Sequence, residues 1–351
     1  MFSGLVACRD TLTTRKATMA ARSTQAKVLA RSARRAVRKV RNHGGSANIT
    51  MVKELGERLS VPTETTEYAG PDHLRTLREQ YGPSDGLPLV DGRVPLIWWT
   101  DTPNYGDLLS PWLVGRVAQR PVTFAPPRHP SYVAVGSVVT RARAGSVVWG
   151  SGSFGSERRS LFKSSAQYRA VRGPLTRSRL LDVGIDCPRV YGDPALLVPM
   201  YFWPKVEQTH EVGIVIRHSE HLWRDVEKDE GVKVIDFGSS DIDTVTSEIL
   251  SCKSIISSSL HGLIIADAYG LPNAWLGTDG KVGGSRPNGG EFKYIDYFAS
   301  VNKLRKPNHV DLSTGSWTPE KLASSFDFDD RPIEFDFAAL LDACPFVIRN
   351  N

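Results

Sequence analysis

Residues 254–276 read SIISSSLHGLIIADAYGLPNAWL. Ser254–Ser257 is a short apolar strand, Gly262–Tyr269 an apolar helix and Asn273–Leu276 a second strand. Such a strand–helix–strand unit belongs to a parallel sheet. Its switch from strand to helix carries three serines and a histidine, Ser257-Ser258-Ser259-Leu260-His261-Gly262. The same alternation runs upstream. Val212–Arg217 is predicted as a strand, His221–Lys228 as a helix and Val232–Phe237 as a strand. A helix then runs over Asp243–Cys252, capped by Asp241 or Asp243.

An earlier block has the same grammar. Val94–Thr100 is predicted as a strand. Gly106–Gln119 is a helix with Leu108, Leu109, Trp112, Leu113 and Val117 at helical spacing. Short strands follow at Ser131–Val139, Ser146–Trp149 and Tyr168–Val171. Pro174–Val183 is a helix with proline at its first position and Gly184 past its end, and Val190–Tyr191 starts another strand. A short helix over Pro71–Tyr81 takes Asp72 as its N-cap. The proline-containing stretch Pro199–Gln208 separates the blocks. The fold class expected is α/β, with two Rossmann-like doubly wound domains facing a cleft, over residues 47–200 and 205–345. Ligands of such sheets bind at the carboxyl ends of the strands.

The 351 residues are 40% apolar, enough for a sizeable core. No apolar run approaches the roughly 20 residues that span a bilayer. Cys8, Cys187, Cys252 and Cys344 lie far apart, without zinc spacing, so no metal site is expected and a reducing, cytoplasmic setting is the simpler inference. The net charge of +6 divides unevenly. Residues 1–42 hold eleven Lys or Arg and one acid, a net +10, and the rest of the chain carries −4. Residues 1–46 therefore read as a basic, disordered tail. Their composition also suits an organelle transit peptide, or a basic helix over Thr24–Val40 in peripheral contact with an anionic membrane. A later start, at Met19 or Met51, accounts for the tail as well. With no basic folded face or nucleic-acid motif, nucleic acid is not an expected partner.

Three strand-to-helix switches carry candidate chemistry. In Asp101-Thr102-Pro103-Asn104-Tyr105-Gly106-Asp107, Asn104 and Asp107 either cap the helix or bind a sugar hydroxyl. Gly106 would let a ligand approach the backbone. In Tyr168-Arg169-Ala170-Val171-Arg172-Gly173-Pro174, Arg172 stands before a helix N-terminus, a fork of donors beside a positive dipole end that suits an anion. In the serine run, His261 is placed as an acid or base, since an unperturbed imidazole titrates near ~6.5. A structural role at a helix start is the plainer alternative, which would leave His218 as the next candidate acid.

Taken in order, Asn104-Tyr105-Gly106-Asp107, Val148-Trp149-Gly150-Ser151-Gly152, Arg172-Gly173-Pro174, Tyr191-Gly192-Asp193-Pro194 and Ser259-Leu260-His261-Gly262 through Leu271-Pro272 resemble the polysaccharide pyruvyl transferases. The likeness is to their bacterial exopolysaccharide, ketal-forming branch, which Phe292–Phe298 also fits. It covers about residues 94–300. The resemblance implies a GT-B-like fold, phosphoenolpyruvate as donor and co-substrate, no other cofactor, and a sugar or lipid-linked oligosaccharide acceptor with two neighbouring hydroxyls. It implies an acceptor side in the first domain and a donor side in the second. It puts Arg172 on the donor and His261 at the reaction centre; the reaction's own needs then make Asp107 the candidate to deprotonate or orient the acceptor, with Asn104 and Gly106 as acceptor-site candidates beside it. Many members carry an arginine just before Leu-His, where this chain has Ser259. Arg217, Lys281 and Lys293 are candidates to supply that charge. Ser259 and Gly262 are candidates to hold the donor through hydroxyl and backbone N–H groups. Two other functions fit the sequence: a GT-B glycosyltransferase using a nucleotide sugar, and a non-enzymatic membrane or nucleic-acid adapter working through the tail.

Overall fold

The structure, a computed structural model, describes residues 48–61, 68–217, 219–220, 223–277, 287 and 289–350. The basic tail, His218 and Lys281 lie outside the described residues. The chain divides after Met51 into two units. Of the first, residues 48–51 are described and are helical. The second, Val52–Asn351, holds all that follows.

This second unit is built on two parallel sheets. The first takes β1 (Val94–Ile97), β2 (Val122–Phe124), β3 (Tyr132–Val133), β4 (Val147–Trp149) and β5 (Gln167–Ala170) in the order β2-β1-β3-β4-β5. α1 (Tyr105–Ala118) connects β1 to β2, and α2 (Pro174–Leu181) follows β5. The second sheet takes β6 (His210–Ile216), β7 (Val232–Asp236), β8 (Cys252–Ser257) and β9 (Asn273–Trp275) in the order β9-β8-β6-β7. α3 (Ile242–Leu250) joins β7 to β8, α4 (Leu260–Ala268) joins β8 to β9, and α5 (Phe292–Ser300) follows. Every pairing within the two sheets is parallel. The mixed α/β architecture read from the alternation is the one observed.

The apolar runs are continuous because these elements are covered on both sides. Leu108, Leu109, Trp112, Leu113 and Val117 of α1 are all buried. One apolar core runs through both halves, from Trp98, Leu109 and Trp149 to Leu263, Ile264 and Trp275. The chain's last strand, Val347–Arg349, pairs antiparallel with Tyr81–Pro83. The Trp149 indole N–H also donates to the Leu340 carbonyl at 2.9 Å, so the final helix and strand pack on the first half.

Several expected elements are shorter or differ. The long strand over Ser131–Val139 is only Tyr132–Val133; Gly136, at φ 102°, takes the chain out of extended conformation. Val190–Tyr191 contributes an isolated bridge between Val171 and Tyr191. Of the helix expected over His221–Lys228, Trp223 lies in a 3-10 turn and residues 224–228 are not helical; Lys228 instead bridges Trp317. Asp241 is the cap of α3, its carboxylate accepting the Thr244 N–H at 3.0 Å. Asp72 is the first residue of its helix, whose N-cap position is Pro71. No helix among the described residues is long and apolar enough to cross a membrane.

Candidate active site

Each sheet reverses its strand order once, between β1 and β3 and between β6 and β8, and a ligand crevice belongs outside such a point. Here the two crevices open into one cleft of about 290 Å³. The chain after β1 gives it Trp99, Thr102, Asn104 and Asp107, and the chain after β3 gives Ser137 and Val138. The second sheet supplies Arg217, Ser219, Phe237, Ser259, Leu260 and His261, and Phe154, Pro287 and Lys293 complete the lining among the described residues.

Both Asn104 and Asp107 line the cleft. Asn104 is the N-cap of α1, its side-chain oxygen accepting the Asp107 N–H at 3.0 Å. Its amide also donates to the Asp107 carboxylate at 2.7 Å. Asp107 thereby presents a fixed carboxyl to the cleft. Burial raises its pKa above the ordinary carboxylate value, against the Asn104 hydrogen bond and the Lys293 charge, which lower it.

His261 sits in the first turn of α4. Burial, reinforced by the charges of Lys293 and Arg172, drives its pKa down to about 3. The imidazole is therefore neutral at neutral pH, with one lone pair to accept a proton. Ser259 occupies the N-cap position, but its hydroxyl makes no capping bond. The Ser257 hydroxyl instead fixes the turn before the helix, accepting the Ser259 N–H at 3.1 Å and donating to the Ser259 carbonyl at 2.9 Å.

Among the described residues two cations line the cleft. Arg217, at the end of β6, is held by the buried Glu220, whose carboxylate accepts from the Arg217 backbone N–H and from Nε, each at 2.8 Å. Ser258 donates to the same carboxylate. Lys293, in the first turn of α5, lies 5.2 Å from the Tyr294 ring centre. Burial and the nearby Arg217 and Arg172 charges lower its pKa to about 7, opposed by Asp107 and Glu220.

Three predicted residues stand behind the lining. Arg172, read from sequence as a fork of donors for an anion, is fully buried. Its Nε donates to Asp296 at 3.1 Å, its Nη1 to the Ser137 hydroxyl at 2.7 Å and its Nη2 to the Ser153 carbonyl at 2.6 Å. Its charge reaches the cleft while its donors are committed. Gly262 packs on Ser257 and Val215; a Cβ there would lie 2.3 Å from the Ser257 hydroxyl. At Gly106 the close approach is made by the His261 ring. The structure thus brings together Asn104, Asp107, Arg217, Ser259, His261 and Lys293, with Arg172, Gly106 and Gly262 supporting them.

Sequence reasoning assigned no role to Asp193, Asp296, Glu220 or the aromatic lining residues Trp99, Phe154 and Phe237. Asp193 and Asp296 were visible only as members of quoted motifs, since their partners are distant in sequence. Asp296 accepts the Thr176 N–H at 2.9 Å and hydroxyl at 2.7 Å besides pairing with Arg172. Tyr294 and Tyr297 of the same helix donate to the Ser258 carbonyl at 2.7 Å and to Asp267 at 2.9 Å. α5 is thus bonded to both halves. Among the described residues no group of three or more His, Cys, Asp or Glu side chains is placed to hold a metal ion.

Comparison with known proteins gives three results. The profile of a family described as polysaccharide pyruvyl transferase matches residues 104–280, from the cap of α1 to just past β9. An uncharacterized protein, L143 of Acanthamoeba polyphaga mimivirus, is 28% identical over 178 residues. That alignment covers 49% of this chain, and the chain spans 60% of that relative's length. No solved structure matches.

Proposed function

This chain belongs to the polysaccharide pyruvyl transferase family, and we propose that it transfers pyruvate from phosphoenolpyruvate to two hydroxyls of one sugar residue, forming a cyclic ketal. The observation that carries the reading is the meeting of His261, Asp107, Arg217 and Lys293 around one cleft. An anionic donor needs cations, and the reaction needs groups that move protons.

The balance of the reaction sets what the site must do. The methylene carbon of phosphoenolpyruvate takes a proton, and the central carbon becomes electrophilic. One sugar hydroxyl attacks it, the C–O bond to phosphate breaks, and the second hydroxyl closes the ring. Of the two protons the diol loses, one is balanced by the new methyl group and one by the released hydrogen phosphate. Arg217 and Lys293 hold the carboxylate and phosphate, with the field of Arg172 behind them. They take the place of the arginine that resemblance puts at Ser259. Neutral His261 accepts a hydroxyl proton, and Asp107, held by Asn104, orients the acceptor. Binding of the anionic donor raises the pKa of His261 and Lys293, which readies either to return a proton to the methylene carbon. Trp99 and Phe154 give the acceptor apolar walls. The first half then serves the acceptor and the second the donor, in a GT-B-like arrangement. The acceptor belongs to polysaccharide or glycan biosynthesis; a lipid-linked oligosaccharide would bring the protein to a membrane face.

The test incubates the protein with phosphoenolpyruvate and a panel of galactosides, glucosides and N-acetylmannosamine derivatives, reading phosphate release and the ketal mass. Phosphoenolpyruvate is also expected to raise the melting temperature, since a ligand at a hundredfold excess over Kd stabilises by about 2.7 kcal/mol. Stabilisation by nucleotide sugars alone, with no ketal formed, would give the function to a glycosyltransferase.

A further inference from the structure

Asp193 opens the short turn Pro194–Leu197 and is fully buried. Its Oδ1 accepts the Ala195 N–H at 3.0 Å. Its Oδ2 is buried with no hydrogen-bond partner, and so is Nε2 of His261. These two orphaned atoms face each other at 3.9 Å. Buried polar atoms are rarely left unsatisfied, and two that face one another need only about 1 Å of movement to reach bonding distance. Nδ1 lies on the other side of the ring, beside Gly106.

We propose that Asp193 is the positioning residue of His261: its Oδ2 accepts the Nε2–H, fixes that tautomer and leaves Nδ1 as the nitrogen that meets the substrate. The inference rests on the reading of His261 as the proton-transfer group. It adds a residue that acts through His261 without touching the substrate, because the hydrogen bond at one ring nitrogen decides which form the other takes. The charged groups around the pair are Arg172 beside both, Asp296 beside Asp193, and Lys293 and Asp107 on the cleft side of the ring. Burial pushes the Asp193 pKa up to about 6, against the Ala195 amide and the Arg172 charge. Above that pH the carboxylate accepts from Nε2–H. Below it the carboxyl is protonated and donates to Nε2, which moves the ring proton to Nδ1 and removes the base.

The test uses the full chain with ¹⁵N-labelled histidine, the His261 signals being assigned by their loss in His261→Gln. Nitrogen NMR of the wild type at pH 8 is expected to show a protonated Nε2 and a bare Nδ1. Asp193→Asn keeps an acceptor for Ala195 but turns an amide N–H₂ toward Nε2. It is expected to move the ring proton to Nδ1 and to lower kcat by ~10²–10⁴-fold, with KM for phosphoenolpyruvate within about twofold. In the wild type kcat is expected to fall as the pH drops through about 6. A wild-type His261 with its proton on Nδ1, or an Asn variant with unchanged tautomer and rate, overturns the proposal. Should the Asn variant fail to fold, the wild-type spectrum decides alone. Should the wild type form no ketal, the functional reading fails and the tautomer still decides the role of Asp193.

Discussion

Gly106 and His261 are in contact across the two halves of the protein: a Cβ added to Gly106 would lie 2.2 Å from Nδ1 of the imidazole. Two sequence motifs more than a hundred residues apart thus form one structural unit. Gly106→Ala is expected to fold, because alanine favours a helix by about 0.5–1 kcal/mol over glycine and the ring can yield. The displaced ring is misaligned, and a ~1 Å misplacement can cost about 10²-fold. Steady-state kinetics should show kcat down by about that factor with donor affinity kept. Near-normal turnover would mean that the ring position does not matter.

His261→Ala removes the proton acceptor itself. A loss of ~10²–10⁴-fold in kcat is expected, with phosphoenolpyruvate affinity little changed by calorimetric titration. A variant that weakens donor binding while keeping turnover would give His261 a binding role instead.

Arg172 and Asp296 form a fully buried pair with Nη2 at 3.0 Å from Oδ2. Arg172→Ala leaves that carboxylate without its charge partner, which typically costs about 3–5 kcal/mol. Urea unfolding should therefore report a large stability loss. Arg172→Lys is expected to recover part of it, since a point charge cannot also reach Ser137 and Ser153. Stability within about 1 kcal/mol of wild type in Arg172→Ala would show that the pair contributes little.

Lys293 links donor binding to pH. Its pKa is lowered to about 7 by burial and neighbouring cations. Its cationic form, which attracts the donor, is full below that pH and lost as pH rises through it. Phosphoenolpyruvate affinity should accordingly fall above pH 7, by at most ~10-fold per pH unit for one linked proton. Binding above pH 7 should take up protons, seen as a buffer-dependent heat. Lys293→Met should bind weakly at every pH and lose this dependence. An affinity flat from pH 6 to 9 in the wild type would remove Lys293 from the donor site.

The alternation of apolar runs made the fold class legible, and the periodicity of residues 106–119 placed α1 within a residue at each end. Local signals failed where distant contacts decide. A Tyr132-Val133-Ala134-Val135 run reads as a longer strand until Gly136 turns the chain. Arg172 reads as a fork for an anion because its partner Asp296 lies 124 residues on. Gly106 reads as room for a ligand because nothing local announces the imidazole that fills it. Of the cleft-lining residues, Asn104, Asp107 and His261 were legible from their places at strand ends and helix starts, Arg217, Ser259 and Lys293 came from the family resemblance, and Trp99, Phe154 and Phe237 gave no signal.

The helix Phe292–Ser300 is anchored to Arg172 and Thr176 through Asp296, and to Ser258 and Asp267 through its two tyrosines. Two lobes riveted in this way cannot swing apart like jaws without exposing a buried ion pair. Donor and acceptor must instead enter past side chains at the rim of a cleft that keeps its width. Small-angle scattering of the protein with and without saturating phosphoenolpyruvate should then give the same radius of gyration. A measurable contraction would mean that the rivets slip and that turnover includes a closing stroke.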